Sequence, residues 1–172
     1  MLDLSNPTNL IQVLHSLSAN DTGTIKKAEK ALKPFLKKAD SAVHLVLILR
    51  SCEDISVRHH AALLLKKKLP TFYGKYGAPQ QTDLKRELLG LLLSEPNAQV
   101  GTAIAGIVAV VAKSIFKAGQ EWPELFQLLL QLAQDPNERL RALNFKLLSE
   151  VFFSFYLLCL QYLFLLSLLL VV

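Results

Sequence analysis

Ser56 to Leu69 reads SVRHHAALLLKKKL. On a helix, Val57, Ala61, Leu64, Leu65 and Leu69 share one face, at i, i+4, i+7, i+8 and i+12. That stripe suits a helix with one side against a core. His59 and Lys66 fall on the opposite side, with His60 and Lys67 beside them. Two later stretches have the same character: QVGTAIAGIVAVVAKSI at 99–115 and RLRALNFKLLSEVF at 139–152. Aligning Val57, Val100 and Leu140 gives separations of 43 and 40 residues. Val57-Arg58 recurs as Leu140-Arg141, while the middle unit has Val100-Gly101 and loses the arginine.

Nearly every segment has a helical period, and none sustains the alternation of a strand. Short breaks punctuate the chain: SNP at 5–7, DTG at 21–23, EPN at 95–97, EWP at 121–123 and DPN at 135–137. Several place Pro at a first helical turn, where its missing N–H costs nothing. The pattern predicts eight helices in pairs, over 7–18, 24–38, 41–52, 55–69, 80–94, 98–117, 123–134 and 137–150. PTFYGKYGAP at 70–79 reads as a surface loop. A period near forty with two helices per unit is the signature of a HEAT-type solenoid. The predicted fold is therefore all-α, a right-handed α-solenoid of about four HEAT-type helix pairs over 1–150, with an apolar C-terminal helix. The first pair matches weakly, as end repeats do. Ala98 to Ala112 is almost entirely apolar, so this helix is predicted to be buried, with Gly101 and Gly106 allowing close approach.

Hydrophobic residues make up 52% of the 172, above the usual range, and the excess is concentrated at 151–172. VFFSFYLLCLQYLFLLSLLLVV carries no charge. The net charge of +5 is also local, since residues 1–70 carry eleven Lys/Arg against six Asp/Glu and the remainder balances. That bias suggests an acidic partner surface and is too weak to argue for nucleic acid. Cys52 and Cys159 form no disulfide framework, which points to a reducing compartment. MLDLSNPTNLIQVL lacks the basic and apolar regions of a secretory signal.

No nucleotide loop, nucleophile elbow or zinc-protease motif occurs, so no catalytic residue, cofactor or metal is assigned. His59 and His60 are adjacent, about 100° apart on a helix, and cannot converge on a metal as residues at i and i+4 do. Lys66, Lys67 and Lys68 have two readings. They complement a helix C-terminus and keep a face soluble, or they contact an acidic partner surface. No aromatic residues are interleaved with them as a stacking platform for nucleic acid needs.

AEKALKPFL at 28–36, followed by VRHHAALLLKKKLPTFYGKY at 57–76, resembles the N-terminal domain of the importin-β (karyopherin-β) transport receptors, here about 26–95. The resemblance is carried by Ala28, Glu29, Leu32, Arg58, Ala61, Ala62, Leu65 and Lys66, with Phe72 or Tyr73 in the aromatic place. LKRELLGLLLSEPNAQVGTAIAGIVAVVAK at 84–113 continues in the family manner. WPELFQLLLQLAQDPNERLRALNFKLLSEV at 122–151 is similar to the fourth repeat of the large importins that carry ribosomal proteins and histones. The resemblance implies a nuclear transport receptor fragment of cytoplasm and nucleus that binds the small GTPase Ran in its GTP form. Cargo proteins and nucleoporins are the family's further partners. The implied Ran-facing residues are exposed positions of the second helices: Arg58, Lys66, Lys67, Lys68 and Asn144.

The apolar stretch 151–172 departs from the family pattern, and three readings stand. As a helix it would rise about 33 Å and could anchor the chain in a membrane. It could instead be an aberrant terminus of a truncated receptor, or a buried terminal helix. Only through this stretch would a membrane become a partner.

Overall fold

The computed structural model describes residues 3–151. Seven helices run in order as α1 (Pro7–Ser16), α2 (Thr22–Phe35), α3 (Ser41–Ser51), α4 (Ile55–Tyr73), α5 (Ala78–Ser94), α6 (Ala98–Lys117) and α7 (Pro123–Ala133). An eighth, α8, occupies 138–151, and the described residues contain no strand. The predicted eight helices in four pairs are thus present. The apolar stretch beyond Val151 lies outside the described residues.

Helix starts follow from short polar side chains that accept otherwise unpaired N–H groups. Asn6 accepts from the Thr8 N–H at 2.9 Å. Asp21 accepts from the Gly23 and Thr24 N–H groups at 3.1 and 2.8 Å. The Thr24 hydroxyl and then these two N–H groups hold the Asp21 carboxyl below its ordinary range. Asp54 caps α4 through the Ser56 and Val57 N–H groups, and Asn97 caps α6 through those of Gln99 and Val100. Asn137 does the same for α8 through the Arg139 N–H. Pro7 and Pro123 stand in first helical turns. Pro96 and Pro136 instead precede the capping asparagines, just outside the helices.

The predicted loop at 70–79 is a correction. Helix α4 continues through Pro70 to Tyr73, and the connection shrinks to 74–77. Pro70 removes one helical hydrogen bond, at a cost of about 3 kcal/mol. Phe72 and Tyr73, both buried, supply about 1.5–3 kcal/mol each by leaving water. Packing wins over the local signal. The Tyr76 hydroxyl donates to the Ala39 carbonyl at 2.9 Å, and the Gln81 amide donates to the Tyr73 and Tyr76 carbonyls, so the short connection is tied to both sides.

The core runs the length of the stack, with α4 packed most extensively on α6 and then on α3. The α4 stripe is as predicted: Val57, Ala61, Leu65 and Leu69 are fully buried and Leu64 packs partly buried against them. Helix α6 is apolar enough by composition to cross a membrane, yet 67% of that window is buried among its neighbours. Its packing is most extensive against α4 and then α5. A neighbouring side chain comes close at Gly106 and not at Gly101. A Cβ at Gly106 would lie 2.9 Å from Lys66 Cε and closer still to Nζ, whereas one at Gly101 would meet Leu143 Cδ1 at an ordinary 3.8 Å.

Candidate functional site

The arginine that repeats at the start of the second helices ties together the turn within each pair. Arg58 Nη1 donates to the Cys52 and Glu53 carbonyls at 2.8 and 2.9 Å, where α3 ends. Arg141 Nη1 donates to the Asp135 and Pro136 carbonyls at 2.8 and 3.0 Å, the same offsets along the chain. The middle pair has Gly101 at this position, and Arg139 from the next pair reaches across to donate to the Glu95 carbonyl. The remaining edge of Arg58 grips the Glu95 carboxylate, Nε to Oε2 at 3.1 Å and Nη2 to Oε1 at 3.0 Å. Side-chain exposure is 11% for Arg58 and 5% for Glu95.

This corrects two of the predicted contact residues. Arg58 is not an exposed position, because its guanidinium is engaged with Glu95 and the α3 carbonyls. Asn144 is also buried, at 2% exposure, facing inward from α8. Its Oδ1 has no hydrogen-bond partner among the described residues.

The three lysines separate. Lys66 does not lie opposite the core, as its helical position suggested. Its stem crosses Gly106 on α6 and its Nζ pairs with Glu150 of α8 at 3.5 Å, where Lys146 also pairs at 3.2 Å. Lys67 is exposed and Lys68 half-buried, and neither has a carboxylate within 4 Å among the described residues. With α4 extended to Tyr73, all three sit in the helix body, so pairing with the helix C-terminus no longer accounts for them. His59 and His60 have ring centroids 6.1 Å apart, and His60 Nδ1 lies 2.9 Å from the Ser56 carbonyl. Burial, then neighbouring His60, pushes the His59 pKa down.

The densest basic surface is on α2 and its C-terminal turn, and it escaped the residue-by-residue reading. Lys26, Lys27, Lys30, Lys33, Lys37 and Lys38 are all exposed. None has a carboxylate within 4 Å among the described residues. The +5 of residues 1–70 was the available signal, since these six supply more than half of its cations.

The family described as "Importin-beta N-terminal domain" matches residues 28–94, and "IPO5-like, TPR repeats" matches residues 96–168. The probable importin subunit beta-4 of Schizosaccharomyces pombe is 30% identical over 151 residues, 87% of this chain and 14% of the relative. The chain belongs to the importin-β family. Human importin-4 is 32% identical over 143 residues, 83% of this chain and 13% of that importin. The chain therefore spans about one seventh of the length of these relatives. Among solved importin structures, Kap121p bound to RanGTP superposes with a TM-score of 0.74 at 21% identity, over 90% of this chain and 15% of that one. Kap121p bound to Nup53p gives 0.72 over 90% and 15%. At that identity the superpositions establish the fold, a HEAT-type solenoid.

Proposed function

We propose that this chain is an N-terminal module of a nuclear transport receptor and that it binds the GTP form of Ran through its second helices. The match of residues 28–94 to the importin-β N-terminal domain carries this reading. It is supported by the solved Kap121p complex with RanGTP, which has the same fold over this region. The contact residues assigned here are Lys67 and Lys68, the unpaired cations at the end of the α4 lysine run, with Lys66 beside them but already held by Glu150. The module works by binding, in cytoplasm and nucleus, and uses no cofactor. Four helix pairs make a stable stack. Cargo proteins and nucleoporins are further proposed partners, as in the solved Kap121p complexes with Ste12p and Nup53p.

Binding of the full chain to Ran loaded with GTP or with GDP tests the reading. A clear preference for the GTP form is the expected result, weakened about tenfold by Lys67→Glu/Lys68→Glu. Affinity should fall as salt is raised. Equal binding to both forms, or none, refutes the receptor reading and leaves a helical scaffold for another protein.

A further inference from the structure

We propose that the lysine face of α2 and the groove beside it form a docking site for an acidic linear segment of a partner protein that carries one apolar anchor residue. The groove has a volume of about 570 Å³ and lies between α2 and the segment that leads into α1. Its apolar lining comes from Leu4, Ala31, Pro34 and Phe35, and its rim from Lys27, Lys30 and Lys38, with Asp3 and Ser5 on the opposite wall. Asp3 Oδ1 already accepts from the Ser5 N–H at 3.0 Å and pairs with none of the lysines.

The charge pattern selects the occupant. Residues 26–38 hold six lysines and a single acid, Glu29. Elsewhere many cations are already engaged: Arg50, Arg58, Lys66, Arg86 and Lys146 pair with carboxylates, and Arg139 and Arg141 with carbonyls. The groove between α3 and α5, about 290 Å³, is lined by Asp83, Arg86 and Glu87 together, so it presents no single sign. Among the described residues the α2 groove joins an apolar floor to a clear excess of unpaired positive charge, three lysines against Asp3, whereas the other grooves mix the two signs. Exposed pairs are individually weak, but several cations beside a low-dielectric wall focus the field and favour an anionic ligand.

Spacing constrains the ligand further. Lys27, Ala31 and Pro34 share one stripe, and Lys38 follows in the turn after the helix. Lys27 and Lys38 are therefore roughly 16 Å apart at ~1.5 Å per residue. An extended peptide covers that span in about five residues at ~3.3 Å each. The ligand implied has acidic residues about five apart with a leucine or phenylalanine between them. The aromatic-poor lysine face lacks the stacking platform of a nucleic-acid site. The site lies on the second helix of the first pair and uses none of the lysines assigned to Ran, so the Lys67/Lys68 and Lys27/Lys30/Lys38 variants separate the two.

The test is fluorescence anisotropy of the full chain with a labelled peptide of sequence Glu-Asp-Glu-Phe-Glu-Asp-Glu. Lys27→Glu/Lys30→Glu/Lys38→Glu should weaken binding at least about tenfold. Lys75→Glu/Lys85→Glu/Lys117→Glu, an equal charge change elsewhere, should weaken it less than about threefold. Replacing the peptide's phenylalanine with glycine should cost a further roughly tenfold, as the apolar floor is left empty. Five of these lysines are exposed and Lys85 is half-buried, and unchanged helical circular dichroism will confirm folded variants. Equal losses from both triple variants, or indifference to the phenylalanine, would overturn the proposal. So would tighter binding of a single-stranded oligonucleotide of equal charge.

Discussion

Arg58→Ala should destabilise the stack by about 3 kcal/mol, and the figure comes from what the substitution leaves behind. Arg58 makes four hydrogen bonds, two to the Glu95 carboxylate and two to the carbonyls that end α3. The carbonyls of Cys52 and Glu53 lie near solvent, and water can replace the guanidinium there. Glu95 is different, with its side chain 5% exposed. Removing one partner of a buried pair costs about 3–5 kcal/mol, mostly as the penalty of the charge left alone. The low end applies because the Asn97 N–H still donates to Glu95 Oε1 at 2.9 Å. For a chain of this size about 3 kcal/mol corresponds to a fall in Tm of roughly 6–12 °C.

Urea unfolding followed by far-UV circular dichroism measures the loss directly. Arg58→Lys should recover little, because an ammonium cannot grip a carboxylate and two carbonyls from one planar group. The double variant Arg58→Met/Glu95→Leu should return to within about 1 kcal/mol of the parent, since it removes the charge as well as its partner. A loss below about 1 kcal/mol for Arg58→Ala would refute the reasoning. It would mean that Glu95 is solvated and that the repeat arginine is a surface residue after all.

Two further perturbations probe the seam between pairs. Asn144→Leu keeps the approximate volume of a buried side chain and removes an Oδ1 that has no partner, so it should raise stability by about 1–2 kcal/mol in the same urea assay; a loss would show that the amide is satisfied in solution. Gly101→Ala should stabilise α6 by up to about 1 kcal/mol, because alanine is the better helix former and its Cβ meets only ordinary contacts. Gly106→Ala should gain less, since the new methyl displaces the Lys66 stem and with it the Glu150 pair; equal gains at both sites would show that Lys66 does not occupy the seam.

Much of this fold is written in local chemistry, and so it was legible. Asn6, Asp21, Asp54, Asn97 and Asn137 start helices through hydrogen bonds within three residues, and the breaks that contain all but Asp54 were visible as residues. The α4 stripe needed only a helical period. The end of α4 was not legible, because Pro70 signals a stop and the burial of Phe72 and Tyr73 that overrides it is a tertiary fact. The candidate site was less legible still. A helical wheel puts Lys66 on an outer face and cannot know that a glycine forty residues later makes room for its stem. The α2 lysines were present in the charge count, but their separation from every carboxylate exists only once the chain is folded.

The lost arginine of the middle pair shows why motif reading fell short at Arg58. Read as a list of repeats, Gly101 is a gap in a pattern. In the folded stack the gap is filled from outside, since the Arg139 guanidinium donates to the Glu95 carbonyl while the Glu95 carboxylate holds Arg58. Glu95 thereby links the second, third and fourth pairs through one residue. The contacts that make Arg58 unavailable to a partner tie α4, which carries Lys67 and Lys68, to the end of α5 and through it to α8. An arginine matched to a family motif can thus hold the stack together without facing a partner.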